Sequence, residues 1–406
     1  MSEQSPPKDQ TAERVSDFDY DLPEELIAQE PPAERGSSRM LVMDRATGAF
    51  RDDSFSGLGQ HLRSGDLLVL NDSRVIPARL YAHRTLVRDR EKPTGRIEVM
   101  LLEPALDPVG QNRWRALVRP GRKVAIGERL VFPAPDGSVA LEAEVLERGQ
   151  FGERLLEFAP VQGSTDDFFA VLDRIGHTPL PPYIHREDAG ADRDRYQTVF
   201  ARELGSVAAP TAGMHFTPAV LEQLSSKGIE ITRVTLHVGL GTFAPLRVKR
   251  VNEVHLHSER YSISAAAADA IHRAVAERRR IVAVGTTVVR TLEAAAIAAA
   301  ALAAGNNPVQ PHSAATEIFI SPGFDFRVVS ALLTNFHLPQ SSLLMLVSAF
   351  AGPPGTGLDR ILSAYQHAIR ERYRFFSYGD CMFIASCGAR LRPAVVRASS
   401  PAFSSS

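Results

Sequence analysis

A chain of 406 residues, 44% hydrophobic and 23% charged, has the make-up of an ordinary soluble globular protein with room for two or three domains. Its formal net charge of −1 supplies no bulk attraction for nucleic acid, so any RNA contact must come from local patches. Two cysteines, Cys381 and Cys387, exclude a disulfide framework and a four-cysteine zinc site and fit a reducing cytoplasm.

Residues 1–15 are polar and lack the apolar stretch of a signal peptide, and the run from Ala294 to Ala304 falls far short of a membrane span. We expect a cytoplasmic protein with a disordered arm at 1–15 and a disordered tail at 389–406. The ordered chain then shows a short helix after Leu22 and a hairpin made by Leu41-Val42-Met43-Asp44 and the Thr47-Gly48 turn. Across 66–158, short β-rich runs separated by Gly, Pro and Asp turns predict a small antiparallel barrel. Its six strands are expected at Leu67 to Leu70, Ile97 to Leu102, Trp114 to Val118, Arg129 to Phe132, Leu141 to Leu146 and Leu155 to Phe158, with Arg84 to Lys92 as a solvated loop. Asn71, Ser73 and Arg74 follow the first run and either line a site or form the turn that closes a strand. Arg113, Arg115, Arg119, Arg122 and Lys123 around Trp114 form one candidate RNA patch, and Arg278-Arg279-Arg280 another; a solvated face is the commoner fate of such runs.

Past Gly152 the pattern is mixed, with a helix over Phe168 to Ile175 and an extended, proline-stiffened stretch from His177 to Ile184. Val207 to Phe216 is small, polar and broken by Pro210 and Gly213, which makes it a loop. Thr217 as N-cap and Pro218 as first helical residue start a helix that stops at Gly228. Ile229 to Val238 alternates as a strand and ends in Gly239-Leu240-Gly241-Thr242-Phe243, glycines that let backbone approach a ligand or simply make a turn. Later come a helix from Ala265 to Arg279, then strand Ile281 to Val284, loop Gly285-Thr286-Thr287 and a helix from Val288 to Ala304. Strand Ala331 to Thr334, loop Asn335 to Pro339 and helix Ser341 to Phe350 repeat the pattern. Such alternation predicts an α/β layer with ligands at the C-terminal ends of its strands.

Pro210-Thr211-Ala212-Gly213-Met214-His215-Phe216 together with Thr235 to Phe243 resembles the signature of the S-adenosylmethionine:tRNA ribosyltransferase-isomerase family of queuosine biosynthesis. Asn71 to Arg79, Ala283 to Thr287, Thr334 to Pro339 and Tyr373 to Asp380 match in the same order, so the resemblance spans about residues 16 to 384. It implies an α/β (mixed α+β) main domain, at 16–65 and 159–388, with the antiparallel β-barrel at 66–158 inserted. It also implies transfer and isomerisation of the ribosyl part of S-adenosylmethionine onto 7-aminomethyl-7-deazaguanine at the tRNA wobble position, giving epoxyqueuosine and releasing adenine and methionine. S-adenosylmethionine is then a consumed co-substrate, with no cofactor, no metal, no membrane and no obligate protein partner.

That chemistry needs a base near C5′, whose proton the neighbouring sulfonium acidifies, and an acid for the departing adenine. His215, His237, Glu259 and His337 are the candidates for these roles, with His215 as base or acid and His237 and Glu259 orienting substrate. Gly285, Thr286 and Thr287 before a helix suit a carboxylate or phosphate, or only an N-cap, and Arg290 could pair with that anion or with Glu293. Phe216, Phe243 and Tyr378 either face the sulfonium or belong to the core. Asn71, Ser73, Arg74, Thr211, Gly213, Gly239, Gly241, Thr242, His257, Ser258 and Asn335 complete the expected substrate contacts. The rival readings are a metal-dependent hydrolase, since His255, His257 and Glu259 on a strand would share one face as a zinc ligand set, and a non-catalytic tRNA-binding module.

Overall fold

The computed structural model describes residues 13–84, 95–105, 112–160, 167–239, 246–301 and 308–386. In chain order, β1 (Arg39–Asp44) and β2 (Phe50–Ser54) form the expected hairpin, followed by helix α1 (Leu58–His61), β3 (Leu67–Asn71) and β4 (Ser73–Val75). Then come β5 (Arg79–Arg84), β6 (Ile97–Pro104), β7 (Asn112–Arg119), β8 (Arg129–Pro133), β9 (Val139–Arg148) and β10 (Glu153–Pro160). Helices α2 (Phe168–Ile175) and α3 (Asp192–Arg195) precede β11 (Glu203–Ser206), α4 (Pro218–Ser226), β12 (Glu230–Leu236) and β13 (Glu259–Ile263). The chain ends with α5 (Ala265–Ala276), β14 (Ile281–Val284), α6 (Thr286–Ala301), β15 (His312–Thr316), β16 (Ala331–Asn335), α7 (Ser342–Ala351), α8 (Thr356–Arg370) and β17 (Cys381–Ala385).

Nine strands make one sheet in the order β15-β13-β12-β3-β14-β16-β17-β1-β2, and β5 to β10 close a six-stranded antiparallel barrel. At the centre of the sheet β12, β3, β14 and β16 run parallel, so their C-terminal ends share one edge. Leu67 to Leu70, expected as the first barrel strand, is instead the middle of this sheet. The physical reason lies in its side chains: Leu67 and Val69 face one core and Leu68 and Leu70 the other, so a continuous apolar run is buried on both faces. The barrel strand in its place is Arg79–Arg84, where Leu80 and Ala82 point inward and Arg79, Tyr81 and His83 stay partly exposed. Arg84 ends that strand; 85–92 of the expected loop, most of the arm, the tail and Cys387 lie outside the described residues. Arg14 and Val15, assigned to the arm, belong to the fold: Arg14 bridges Arg250 and Val15 is buried.

Local chemistry sets the other elements. The Thr217 hydroxyl accepts the Val220 N–H and caps α4, with Pro218 at its first position. Trp114 is buried in the barrel against Phe168 of α2, so its flanking arginines point outward. Arg113 and Arg115 are taken up by Glu157 and Glu153, whereas Arg119 and Arg122 are exposed. Arg279 and Arg280 are tied to Glu230 and Asp66, so that second basic run serves the fold.

Candidate active site

The parallel strands end at one open cleft of about 620 Å³. Gly285, Thr286 and Thr287 after β14, Thr334 to Leu338 at and after β16, Val238 beyond β12 and the Ala209 to Ala212 loop all line it. Gly285 has φ of +90° where β14 turns into α6, a conformation that strains any other residue. The free N–H groups at the start of α6 therefore face the same space as Asn335 and His337.

His337 is held rigidly. Its backbone N–H donates to the Tyr365 hydroxyl at 3.0 Å, its carbonyl accepts from Tyr20, and its Nε2 hydrogen-bonds the Thr334 hydroxyl at 2.7 Å. The opposite wall is a loop, Arg374 to Asp380, closed on itself because the Asp380 carboxylate accepts the backbone N–H groups of Arg39 and Arg374 at 2.8 Å. Gly379 sits so close to the Arg374 carbonyl that a Cβ would lie 2.4 Å from it, so this closure requires glycine. The loop presents Phe376 and Ser377 to the cleft, where the Ser377 hydroxyl bonds Tyr183 at 2.6 Å and the Tyr183 and Phe376 rings lie 4.8 Å apart.

His215 lines a second pocket of about 290 Å³ and is joined to the cleft through Asn335. Asn335 Nδ2 donates to its Nε2 at 3.3 Å, which leaves Nδ1 to carry the proton toward Ser38 Oγ at 2.9 Å. The Asn335 carbonyl accepts from Thr211 at 3.1 Å, so three residues expected from separate motifs form one chain of hydrogen bonds.

Beneath the cleft lies a buried polar network. Asn71 bonds both the N–H and the carbonyl of Leu236 at 3.0 Å and approaches the Thr287 hydroxyl at 3.3 Å, tying β3, β12 and α6 together. Arg290 pairs with Glu259 at 2.5 Å, and Glu259 also accepts the Gly239 N–H at 3.2 Å. Glu293 is not the partner of Arg290; its carboxylate accepts the backbone N–H groups of Arg327, Val328 and Val329. His237 is packed against Gly205, and its Nδ1 is buried without a hydrogen-bond partner among the described residues.

Other expected contacts lie elsewhere. Phe216 is fully buried edge-on to Phe55, and Gly213 is a packing glycine whose added Cβ would stand 2.9 Å from Phe200 and Thr198. Tyr378 lines the second pocket and donates to Asp192 at 2.7 Å. Ser73 is buried, Arg74 exposed, and His257 and Ser258 are exposed on the segment before β13. Gly241, Thr242 and Phe243 lie outside the described residues. His255 and His257 precede the strand instead of lying on it, and no group of three His, Cys, Asp or Glu able to hold a metal is present among the described residues. Tyr183, Ser377 and Ser38 were missed; Ser377 sits within a matching motif, whereas Tyr183 and Ser38 reach the site only through long-range contacts.

Burial governs the histidines. Desolvation holds His215 and His237 down at about 4, helped by Arg35 and Arg260 respectively, and His337 at about 3. A histidine that stays neutral in the folded state stabilises it fully above the unfolded value of about 6.5 and loses that contribution as pH falls toward 4, at up to about 1.4 kcal/mol per pH unit each. Asp72, Glu293 and Asp380, raised by burial, act in the opposite sense, so the histidines are best read directly. Imidazole NMR resonances of His215 and His337 should keep their neutral-form shifts at pH 5; titration near pH 6.5 would contradict this packing.

Residues 15–384 match the family described as "Queuosine biosynthesis protein". A relative from Solibacter usitatus (strain Ellin6076), named S-adenosylmethionine:tRNA ribosyltransferase-isomerase, is 53% identical over 380 residues, covering 91% of this chain and 99% of its own. One of the same name from Geobacter metallireducens is 48% identical over 371 residues with the same coverage. A crystal structure of S-adenosylmethionine tRNA ribosyltransferase from Thermotoga maritima is 37% identical, covers 91% of this chain and all of its own, and superposes with a TM-score of 0.48.

Proposed function

The chain belongs to the queuosine biosynthesis protein family, and from that premise we propose how its cleft carries out the reaction. The protein is a transferase: it moves and isomerises the ribosyl part of S-adenosylmethionine onto 7-aminomethyl-7-deazaguanine at the tRNA wobble position, giving epoxyqueuosine-tRNA, adenine and methionine. The observation that carries our assignment of roles is one cleft shared by the α6 N-terminus, Thr211, Asn335 and His337. The methionyl carboxylate binds at Gly285, Thr286 and Thr287, where unpaired N–H groups and the helix dipole favour an anion. Tyr183 and Phe376 take the place beside the sulfonium once expected of Phe216 and Tyr378, because they line the cleft. S-adenosylmethionine is consumed, and no cofactor enters the scheme.

His337 and His215 are the proton-transfer groups. Both are neutral at neutral pH and so are ready to accept a proton, but as weak bases they depend on the sulfonium to acidify C5′. Asn335 fixes the tautomer of His215, and Glu259 with Arg290 holds the backbone at Gly239. The His255, His257 and Glu259 ligand set is unsupported, because Glu259 is engaged by Arg290 and the histidines are exposed.

The direct test is incubation with S-adenosylmethionine and tRNA carrying the aminomethyl base, following adenine, methionine and the mass of the modified nucleoside. Equal release of both, dependent on that tRNA and unchanged by chelator, is expected. Binding of tRNA without release would leave the chain a binding module.

A further inference from the structure

The second pocket is bordered by two guanidinium groups, Arg35 and Arg195, that form no ion pair among the described residues. Arg35 donates to the carbonyls of Gln197 at 2.8 Å, Met214 at 3.0 Å and Asp194 at 2.8 Å. Arg195 donates to the carbonyls of Ala33 at 3.3 Å and Pro32 at 2.5 Å. All of these acceptors are backbone, and neither guanidinium ion-pairs with a carboxylate among the described residues. The neighbouring Arg186, by contrast, pairs with Glu30 and Asp192. Glu34 and Asp194 have exposed side chains, and the Asp192 carboxylate is already used by Arg186 and Tyr378.

Carbonyls hold a guanidinium in place without cancelling its charge; the two arginines repel each other, and the exposed Asp194 carboxylate offsets this only at a distance, without an ion pair to either. Both arginines line the pocket, and neither has a buried nitrogen left without a partner. Two fixed guanidinium forks without ion-pair partners in a concavity match a tetrahedral oxyanion. The pocket meets the cleft at Ser377.

We propose that Arg35 and Arg195 form a phosphate subsite that grips the tRNA backbone beside the wobble nucleotide, while that nucleotide's base occupies the cleft. This rests on the RNA-modifying reading above. The α6 N-terminus already offers the cleft its place for the carboxylate of S-adenosylmethionine, and a nucleotide bound there carries its phosphates on the adjoining ribose. A polyanion held by arginines also answers how a chain of net charge −1 recruits RNA: through a local site and not through bulk attraction.

The test uses the full chain and an anticodon stem-loop in which single phosphates flanking the wobble position are replaced by neutral methylphosphonate, with binding followed by fluorescence anisotropy across salt concentrations. One such replacement should weaken binding to the unaltered protein about tenfold and have a clearly smaller effect on Arg195→Gln, which keeps only the Arg35 contact. Arg195→Gln and Arg35→Lys should each raise KM for tRNA about tenfold, leave KM for S-adenosylmethionine unchanged, and Arg195→Gln should flatten the salt dependence by about 0.7 in log–log slope. Equal loss in both proteins, or no sensitive phosphate at any position, overturns the proposal, as does a rise confined to KM for S-adenosylmethionine. Because the phosphate scan reads coupling to one side chain, a general folding defect cannot imitate it. It also reads binding alone, so a protein that bound the stem-loop through these arginines yet released no adenine would refute the reaction and keep the subsite.

Discussion

His215→Ala is expected to lower kcat for adenine release by about 10²- to 10⁴-fold, the range typical of losing a positioned proton-transfer group. The imidazole lines the second pocket and is engaged at both nitrogens, by Asn335 and Ser38. Removing it also strands those two partners, at a cost of about 1–3 kcal/mol in stability. His215→Gln separates the two effects, since an amide can bond both neighbours and cannot carry a proton. A glutamine variant that melts like the unaltered protein and stays inactive supports proton transfer. Recovery of most of the turnover with glutamine would reduce His215 to a positioning residue and leave His337 as the proton carrier.

Glu259→Gln should produce the largest loss of stability, about 3–5 kcal/mol by urea unfolding, because it leaves the Arg290 charge buried and unpaired. Both side chains are only 5% exposed, so water cannot take over the lost partner. Adding Arg290→Met should restore much of that loss, since an apolar side chain needs no counter-charge. Turnover should recover along with stability in the double variant, because the amide oxygen that replaces the carboxylate can still accept the Gly239 N–H next to cleft-lining Val238. A loss below about 1 kcal/mol for Glu259→Gln would show that Arg290 finds another partner and that this pair does not brace the cleft.

Short β-rich runs set off by Gly, Pro and Asp turns made five of the barrel strands legible. The same logic misplaced Leu67 to Leu70, whose four apolar residues in succession signal burial on both faces of a sheet that forms only when α5 and α6 pack on one side and Phe55 and Phe216 on the other. The loops after β14 and β16, which line the cleft, were legible as loops at strand ends because a strand, a glycine or small polar turn and a helix start follow one another in the chain. Which loops share a cleft was not, because that depends on strand order. The order β12-β3-β14-β16 brings Val238, Gly285 and Asn335 to one edge although they are far apart in sequence.

The sequence by itself determined the family, the barrel and the strand-loop-helix units that carry Gly285 and Asn335, because motifs, periodicity and capping are local signals. Only the tertiary structure decided the pairings: Arg290 with Glu259 instead of Glu293, Tyr183 and Phe376 instead of Phe216 and Tyr378 at the cleft, and two arginines beside it without an ion pair among the described residues. Charge partners and cleft walls are set by which surfaces meet after the chain folds, and no local spacing encodes that.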